Sequence, residues 1–288
     1  MVKALMVVLL VVIMAPLLGG LLTGIDRVLT ARMQGRVGPP VLQPFYDVLK
    51  LLGKEALAAN RRQVAWALGY LVLIIASLAL FCLGGDLLII VFTMAFAAGS
   101  FVLGGFSVRS PYSHIGSQRE LLQMLAYEPV LILLALGVYL QTGSFMVKDL
   151  FHQSQPLLAS MPLVFIALLI VLTIKIRKSP FDLATSHHGH QELVKGITTE
   201  YSGPYLALIE VTHWYELVLL LGLAAMFWTH PLGAGILLAL AAFFIEMVID
   251  NICARLTWNW MIKFTWTGGI ILCLINLGVI WVLRAGGV

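Results

Sequence analysis

MVKALMVVLLVVIMAPLLGGLLTG, residues 1–24, carries one charged side chain, Lys3, in an otherwise almost wholly apolar run. About 20 such residues cross the hydrocarbon core of a bilayer as a helix, because only a backbone that satisfies its own hydrogen bonds is stable where there is no water. The stretch begins like a secretory signal, with a basic residue ahead of an apolar run. It is nevertheless too long for one and has no convincing small-residue cleavage site. It reads as a membrane span over 2–24.

The same pattern recurs at 64–83, 86–107, 119–141, 157–176, 205–228, 231–253 and 264–284. The composition agrees: 60% of the 288 residues are hydrophobic and 11% charged, against roughly 25% charged in a soluble domain. A soluble chain of this length has too little polar surface to cover so much apolar matter. The expectation is an all-α membrane protein with eight transmembrane helices in a single polytopic domain over 1–288.

Orientation follows from lysine and arginine placement. With eight spans and the N-terminus outside, 15 of the 18 basic residues fall on one side, including Lys175, Arg177, Lys178 and Lys195 of the fifth connection. Only Lys3, Lys148 and Arg284 fall on the other, so both termini are expected outside and the long loops 25–63 and 177–204 in the cytoplasm. The basic balance is a topology signal and does not indicate nucleic-acid binding. Cys82, Cys253 and Cys273 sit in or beside apolar spans with no CxxC spacing, which excludes an iron-sulfur cluster or structural zinc and reads as small buried packing residues. Neither a Walker sequence nor a strand-borne GxGxxG occurs, so nucleotide binding is unsupported.

In the first loop, Val41, Leu42, Phe45, Val48, Leu49 and Leu52 recur at helical spacing with Asp47, Lys50 and Lys54 between them. This predicts an amphipathic helix over 41–55, entered through Pro39 and Pro40 and lying at the membrane interface.

Ionisable groups inside spans are costly, at least ~2.5 kcal/mol each, and are functional candidates by default. Glu128 stands in AYEPV of the fourth span, where Pro129 removes a helix hydrogen bond and can leave a polar notch. Glu210, His213 and Glu216 follow one another at intervals of three in the sixth span. Imidazole titrates near neutrality and can pass a proton between two acids. Glu246 and Asp250 lie one turn apart on the seventh span, where two carboxylates are expected to repel.

GRVGPPVLQPFYDVLKLLGKE (35–55) resembles the first cytoplasmic loop of the membrane-embedded, quinone-site subunit 1 of respiratory complex I. SPFDL (179–183), followed by ELV and TEYSG (199–203), resembles that subunit's other large loop, and the likeness runs along nearly the whole chain in the same span order. Where complex I has an acid-rich segment of the type EAEAEL, this chain has ATSHHGHQEL. That centre and the HWYE of 213–216 look like the homologous subunit of membrane-bound, energy-converting NiFe hydrogenases of the Ech and CO-induced type, related to formate hydrogenlyase. The fifth span lacks the glutamate of complex I, and Glu210 sits about a turn earlier than that family's sixth-span acid.

The resemblance implies a coupling subunit in a prokaryotic cell membrane, with no catalytic centre, redox cofactor or metal of its own. The implied partners are a NiFe hydrogenase large subunit, a small iron-sulfur subunit and antiporter-like membrane subunits, with ferredoxin supplying electrons and H⁺ or Na⁺ as the pumped ion. Glu128, Glu210, His213, Glu216, Glu246 and Asp250 become the expected ion route. Arg36, Asp47, Lys50, Lys54 and Glu55 of the first loop and Asp182, His187, His188, His190, Glu192, Glu200 and Tyr201 of the second become the docking surface. The HHxHxE spacing lacks the helical i, i+4 geometry of zinc motifs, so docking or proton entry is preferred to a metal site. Two readings compete: the quinone-site subunit of complex I or a formate hydrogenlyase-type subunit within the family, and a stand-alone transporter outside it, which would need a midplane site and usually repeats.

Overall fold

The structure, a computed structural model, describes residues 2–153, 155–181 and 195–285. Among these residues the regular structure is entirely helical, apart from isolated backbone bridges. In chain order the helices are α1 (Val2–Met33), α2 (Gln43–Leu52), α3 (Arg61–Cys82), α4 (Leu87–Phe106), α5 (Pro111–Thr142), α6 (Leu157–Ser160), α7 (Pro162–Lys175), α8 (Pro204–Ala225), α9 (Leu232–Ile252), α10 (Trp258–Phe264) and α11 (Ile271–Ala285). Short 3-10 turns occupy Val147–His152 and Gly196–Thr198, and a π-helical stretch, Thr265–Ile270, joins α10 to α11.

Seven helical segments are long and apolar enough to cross a membrane: Met6–Met33, Arg61–Cys82, Leu87–Phe106, Pro111–Thr142, Pro204–Ala225, Leu232–Ile252 and Trp258–Arg284. The span expected at 157–176 is instead split into α6 and α7. Proline disfavours the helical region for the residue before it, and Met161, ahead of Pro162, has φ −127° and ψ 50°. The 14 residues of α7 extend only ~21 Å, against a hydrocarbon core of ~30 Å. At two other boundaries the helix outruns the apolar run. α1 continues through Arg27 to Met33, and α5 begins at Pro111, so Arg119 lies on a helix and not in a loop.

The ends are set by local chemistry. Asn60 caps α3 by accepting from the Arg62 amide at 3.0 Å, and Asp86 caps α4 through the Leu88 and Ile89 amides at 2.8 and 3.2 Å, each satisfying donors that a helix start leaves open. Pro111, Pro162 and Pro204 open their helices, where a missing N–H costs nothing.

α8 is the hub: two-thirds of its spanning window is buried, 67%, against 17% for α1, and it packs on α1, α2, α3 and α9. Gly19 makes the α1–α8 approach possible, since a Cβ there would sit 2.4 Å from the Trp214 carbonyl oxygen. Small residues at such crossings are what lets membrane helices touch. The outer faces expose Leu9, Leu10, Ile13, Leu237, Phe96 and Trp281, a surface suited to lipid and not to water.

α2 crosses α1 and α8 with the Phe45 ring 5.1 Å from that of Trp214, while Tyr46, Leu49 and Leu52 face outward. The two long loops meet: Ala58 bridges to Tyr201, and Gly203, at φ +53°, brings its backbone against the Glu55 carbonyl. Two of the three cysteines depart from the packing role expected of them. Cys82 and Cys253 are exposed, and only Cys273 is buried, because helices that end at positions 82 and 252 turn their last residues outward.

Candidate functional site

The short α7 creates the site. Its last residue, Lys175, meets Glu216, which lies twelve residues into α8, ~18 Å from that helix's start at 1.5 Å per residue. α7 therefore stops well inside the protein, and the segment that follows, Ile176 to Phe181, runs through the interior before reaching the loop face. A cavity of about 180 Å³ opens above this stop, lined by Thr23, Asp26 and Arg27 of α1, by Lys175 to Ser179, by Glu210, His213 and Glu216 of α8, and by Asp250 of α9.

The basic stretch Lys175-Ile176-Arg177-Lys178, expected to be a solvated loop, is instead the positive half of a buried charge array. Lys175 Nζ donates to Glu216 Oε1 at 2.6 Å, and Tyr70 Oη donates to the other oxygen, Oε2, at 2.8 Å. Arg177 reaches Glu120 at 3.3 Å, while Lys178 holds Asp26 at 2.5 Å and Asp250 at 3.8 Å. Two rings add to the cradle: the Lys175 ammonium is 4.5 Å from the Tyr127 centroid and the Arg177 guanidinium 5.2 Å from that of Phe101. Cations over aromatic faces gain further when desolvated. Arg177 takes a left-handed backbone, φ +60°, which costs a non-glycine residue roughly 1–2 kcal/mol. Its contacts to Glu120 and Phe101 hold it there.

Measured along their helices, the acids descend from the loop face: Asp250 within a turn, then Asp26, Glu120 and Glu216, and finally Glu128 at ~26 Å from the start of α5. Two acids differ in kind. Glu246 is completely buried beside the Thr173 hydroxyl; that hydroxyl donates to the Leu169 carbonyl at 3.0 Å, and neither Glu246 carboxylate oxygen has a hydrogen bond among the described residues. Glu128 is half-buried, and its Oε1 is likewise sealed without a hydrogen bond among the described residues.

The expected route residues are thus only partly together. Glu210, His213, Glu216 and Asp250 line one cavity, with the His213 ring edge-on to Tyr70 and Phe101 at 5.9 and 6.0 Å. Glu246 and Glu128 lie outside that lining. Asp250, one turn beyond Glu246, is engaged by Lys178 at 3.8 Å and by the Ser179 amide at 2.9 Å.

Of the docking residues, Arg36, Lys50, Lys54 and Glu55 are exposed, Glu200 is half-buried and Tyr201 is buried. Arg36 bonds Gln34, and Gln34 in turn bonds Asn251 at 2.9 Å. Asp47 is tied to Arg27 at 2.7 Å and Gln43 at 2.9 Å. Partial burial works against the charge on Asp47, but the hydrogen bonds from Arg27 and Gln43 and the positive charges of Arg27 and Lys50 outweigh it and hold the carboxyl below its ordinary range. Asp182, His187, His188, His190 and Glu192 lie outside the described residues. Asp26, Glu120, Tyr70 and the three bases belong to this buried array and are residues that sequence reasoning did not single out as a site. The available signal was the arithmetic of charge, a basic cluster directly after one apolar run and single acids inside several others.

These features define a multi-pass helical membrane protein with a buried charge array reached from one face. The NADH dehydrogenase family profile matches residues 4–281, and the chain belongs to this family. Formate hydrogenlyase subunit 4 of Escherichia coli (strain K12) is 32% identical, over 86% of this chain and 90% of that one. The H subunit of the NADH-quinone oxidoreductase of Thermomicrobium roseum is 30% identical, over 93% and 92%. Among solved structures, a chain of the membrane-bound sulfane sulfur reductase, an archaeal respiratory membrane complex, superposes with a TM-score of 0.85 at 25% identity, covering 96% of this chain and 99% of that one. The protein is a membrane subunit of the complex I-like and hydrogenase type.

Proposed function

We propose that the chain is the integral membrane coupling subunit of a ferredoxin-dependent, energy-converting NiFe hydrogenase in a prokaryotic cell membrane. It holds the hydrogenase module on its loop face and links proton reduction or H₂ oxidation to translocation of H⁺ or Na⁺. In this arrangement α6 and α7 together make an eighth crossing, the loop face is cytoplasmic with both termini outside, and α2 lies at the interface. A NiFe large subunit and a small iron-sulfur subunit carry the redox centres, and antiporter-like subunits continue the ion path.

The observation that carries the proposal is the continuity between the loop face and the buried array. Residues 176–181, which in sequence directly precede the second proposed docking loop, carry the Arg177–Glu120 and Lys178–Asp26–Asp250 pairs. A partner that shifts this segment changes which acids are neutralised, and a carboxylate left without its cation must take up a proton or another cation, because an unpaired buried charge costs several kcal/mol. Glu210 and His213 supply the cavity wall through which that ion arrives. Glu246 and Glu128, which have no salt bridge among the described residues, can exchange an ion without disturbing the fold. The hydrogenase assignment draws on the likeness to formate hydrogenlyase subunit 4 and on the HHGHQEL segment.

The test is Glu128→Gln in the complete complex. Hydrogen evolution by solubilised complex is expected to stay near wild type while ion accumulation in vesicles falls; unchanged pumping removes Glu128 from the route. The likeness to a subunit of NADH-quinone oxidoreductase favours a second reading, a quinone-site subunit, with the cavity as the quinone's seat. Inhibition by quinone-site blockers and co-purification with a quinone-reductase set would establish that reading in place of the first.

A further inference from the structure

On the face opposite the loops, a second cavity of about 350 Å³ lies between the ends of α3, α8 and α9 and the connection that follows α5. Its volume is within the ~300–1,000 Å³ of small-molecule sites. Phe81, Leu83, Met226, Leu232 and Ile236 make an apolar wall, and Lys148 is the one charged residue in the lining.

The cavity is built and held from both sides. Val147 and Lys148 donate to the carbonyls of Gly85 and Gly84 at 2.9 and 3.3 Å, and Leu87 donates to Phe145 at 2.8 Å, clamping this stretch onto the α3–α4 turn. Gly84, at φ +71°, lets the clamp close, since a Cβ there would lie 2.8 Å from that of Lys148. On the other side Thr229 donates to the Leu150 carbonyl at 3.1 Å and the His230 ring bonds the Phe151 carbonyl at 2.6 Å.

Three of its walls are ends of membrane-crossing helices, which places the cleft at the depth where headgroups give way to acyl chains. Leu232 and Ile236 at its mouth are 61% and 54% exposed, surfaces that in a bilayer meet lipid. Lys148 is exposed at the rim, and its ammonium pairs with no carboxylate among the described residues. Trp228, of the residue type that populates the headgroup level, also lines the cleft.

We infer that this cleft binds one anionic phospholipid, with an acyl chain along the apolar wall and the phosphate against Lys148. The apolar volume selects a chain, and the lone rim cation selects a negatively charged headgroup over a zwitterionic one. The site shares no lining residue with the cavity of the charge array and does not rest on the coupling role.

Cys82, in the lining and exposed, is a built-in reporter once Cys253→Ser removes the other exposed thiol. The complete complex is placed in nanodiscs of phosphatidylglycerol or phosphatidylcholine, and Cys82 is alkylated by a small thiol reagent. Labelling is expected to be about fivefold slower in phosphatidylglycerol, the factor associated with one lysine near an anionic surface, and Lys148→Glu, a rim change that leaves the clamp's backbone bonds in place, is expected to abolish the difference. Native mass spectra of wild-type complex are expected to retain one phosphatidylglycerol that Ala225→Phe, which fills the cleft, releases. Equal labelling in both lipids with no retained phospholipid overturns the inference. So does protection that is the same in both lipids and disappears only when neighbouring subunits are stripped away, which would assign the cleft to a protein helix.

Discussion

Replacing Lys175 by methionine keeps the length of the side-chain stem and deletes the cation that faces Glu216. The two charged atoms stand 2.6 Å apart and both side chains are buried. At an effective dielectric of ~20 that separation corresponds to about 6 kcal/mol of attraction, most of which offsets the several kcal/mol that each ion loses on leaving water. The intact pair therefore contributes little net stability. Its disruption leaves Glu216 with the Tyr70 hydroxyl and the more distant Arg177 charge, and loss of one partner from a buried pair costs ~3–5 kcal/mol. The double variant Lys175→Met/Glu216→Gln removes the stranded charge while leaving Tyr70 an acceptor, so it is expected to recover at least half of that loss. A double-mutant cycle on unfolding free energies, measured by denaturant titration of the chain in mixed micelles, reads the coupling directly. A single-variant loss below ~1 kcal/mol, or a double variant equal to the sum of the two singles, would falsify the placement of this pair in a low-dielectric interior.

Three further outcomes follow from the geometry. Glu246→Leu is expected to leave stability within ~1 kcal/mol of wild type or raise it, because a buried carboxylate with no salt bridge among the described residues gives way to an apolar group, while ion translocation in vesicles falls; a variant destabilised by more than that would show that the contact with Thr173 holds the carboxyl in place. Gly203→Ala is expected to cost ~1–3 kcal/mol, since φ is +53° and the added Cβ would lie 2.5 Å from the Glu55 carbonyl, and protease cleavage in loop 34–60 should rise as the loops part. Asp47, whose carboxyl is held low, contributes stability that is fully present above its unfolded pKa and lost as pH falls through the lower folded one. Asp47→Asn should flatten that acid limb by no more than ~1 kcal/mol, as both partners are over a third exposed.

Much of this protein is legible without a structure, because lipid acts on each residue separately. Apolar runs declare themselves one after another, and single acids within spans stand out as costly. Motif likeness in 35–55 and 179–203 carried the family membership that the profile over 4–281 then showed. The misreadings also have a common origin. Lys175, Arg177 and Lys178 look like loop charges because they close an apolar run and open a polar segment, yet the acids they meet stand 41, 57 and 152 residues away. Hydropathy sums local transfer energies, whereas a buried ion pair is stable only through a partner brought from elsewhere in the chain. Tertiary structure alone decided that α7 would stop inside the protein, that a basic stretch would become its charged interior, and that Glu246 would be fully buried with no salt bridge among the described residues.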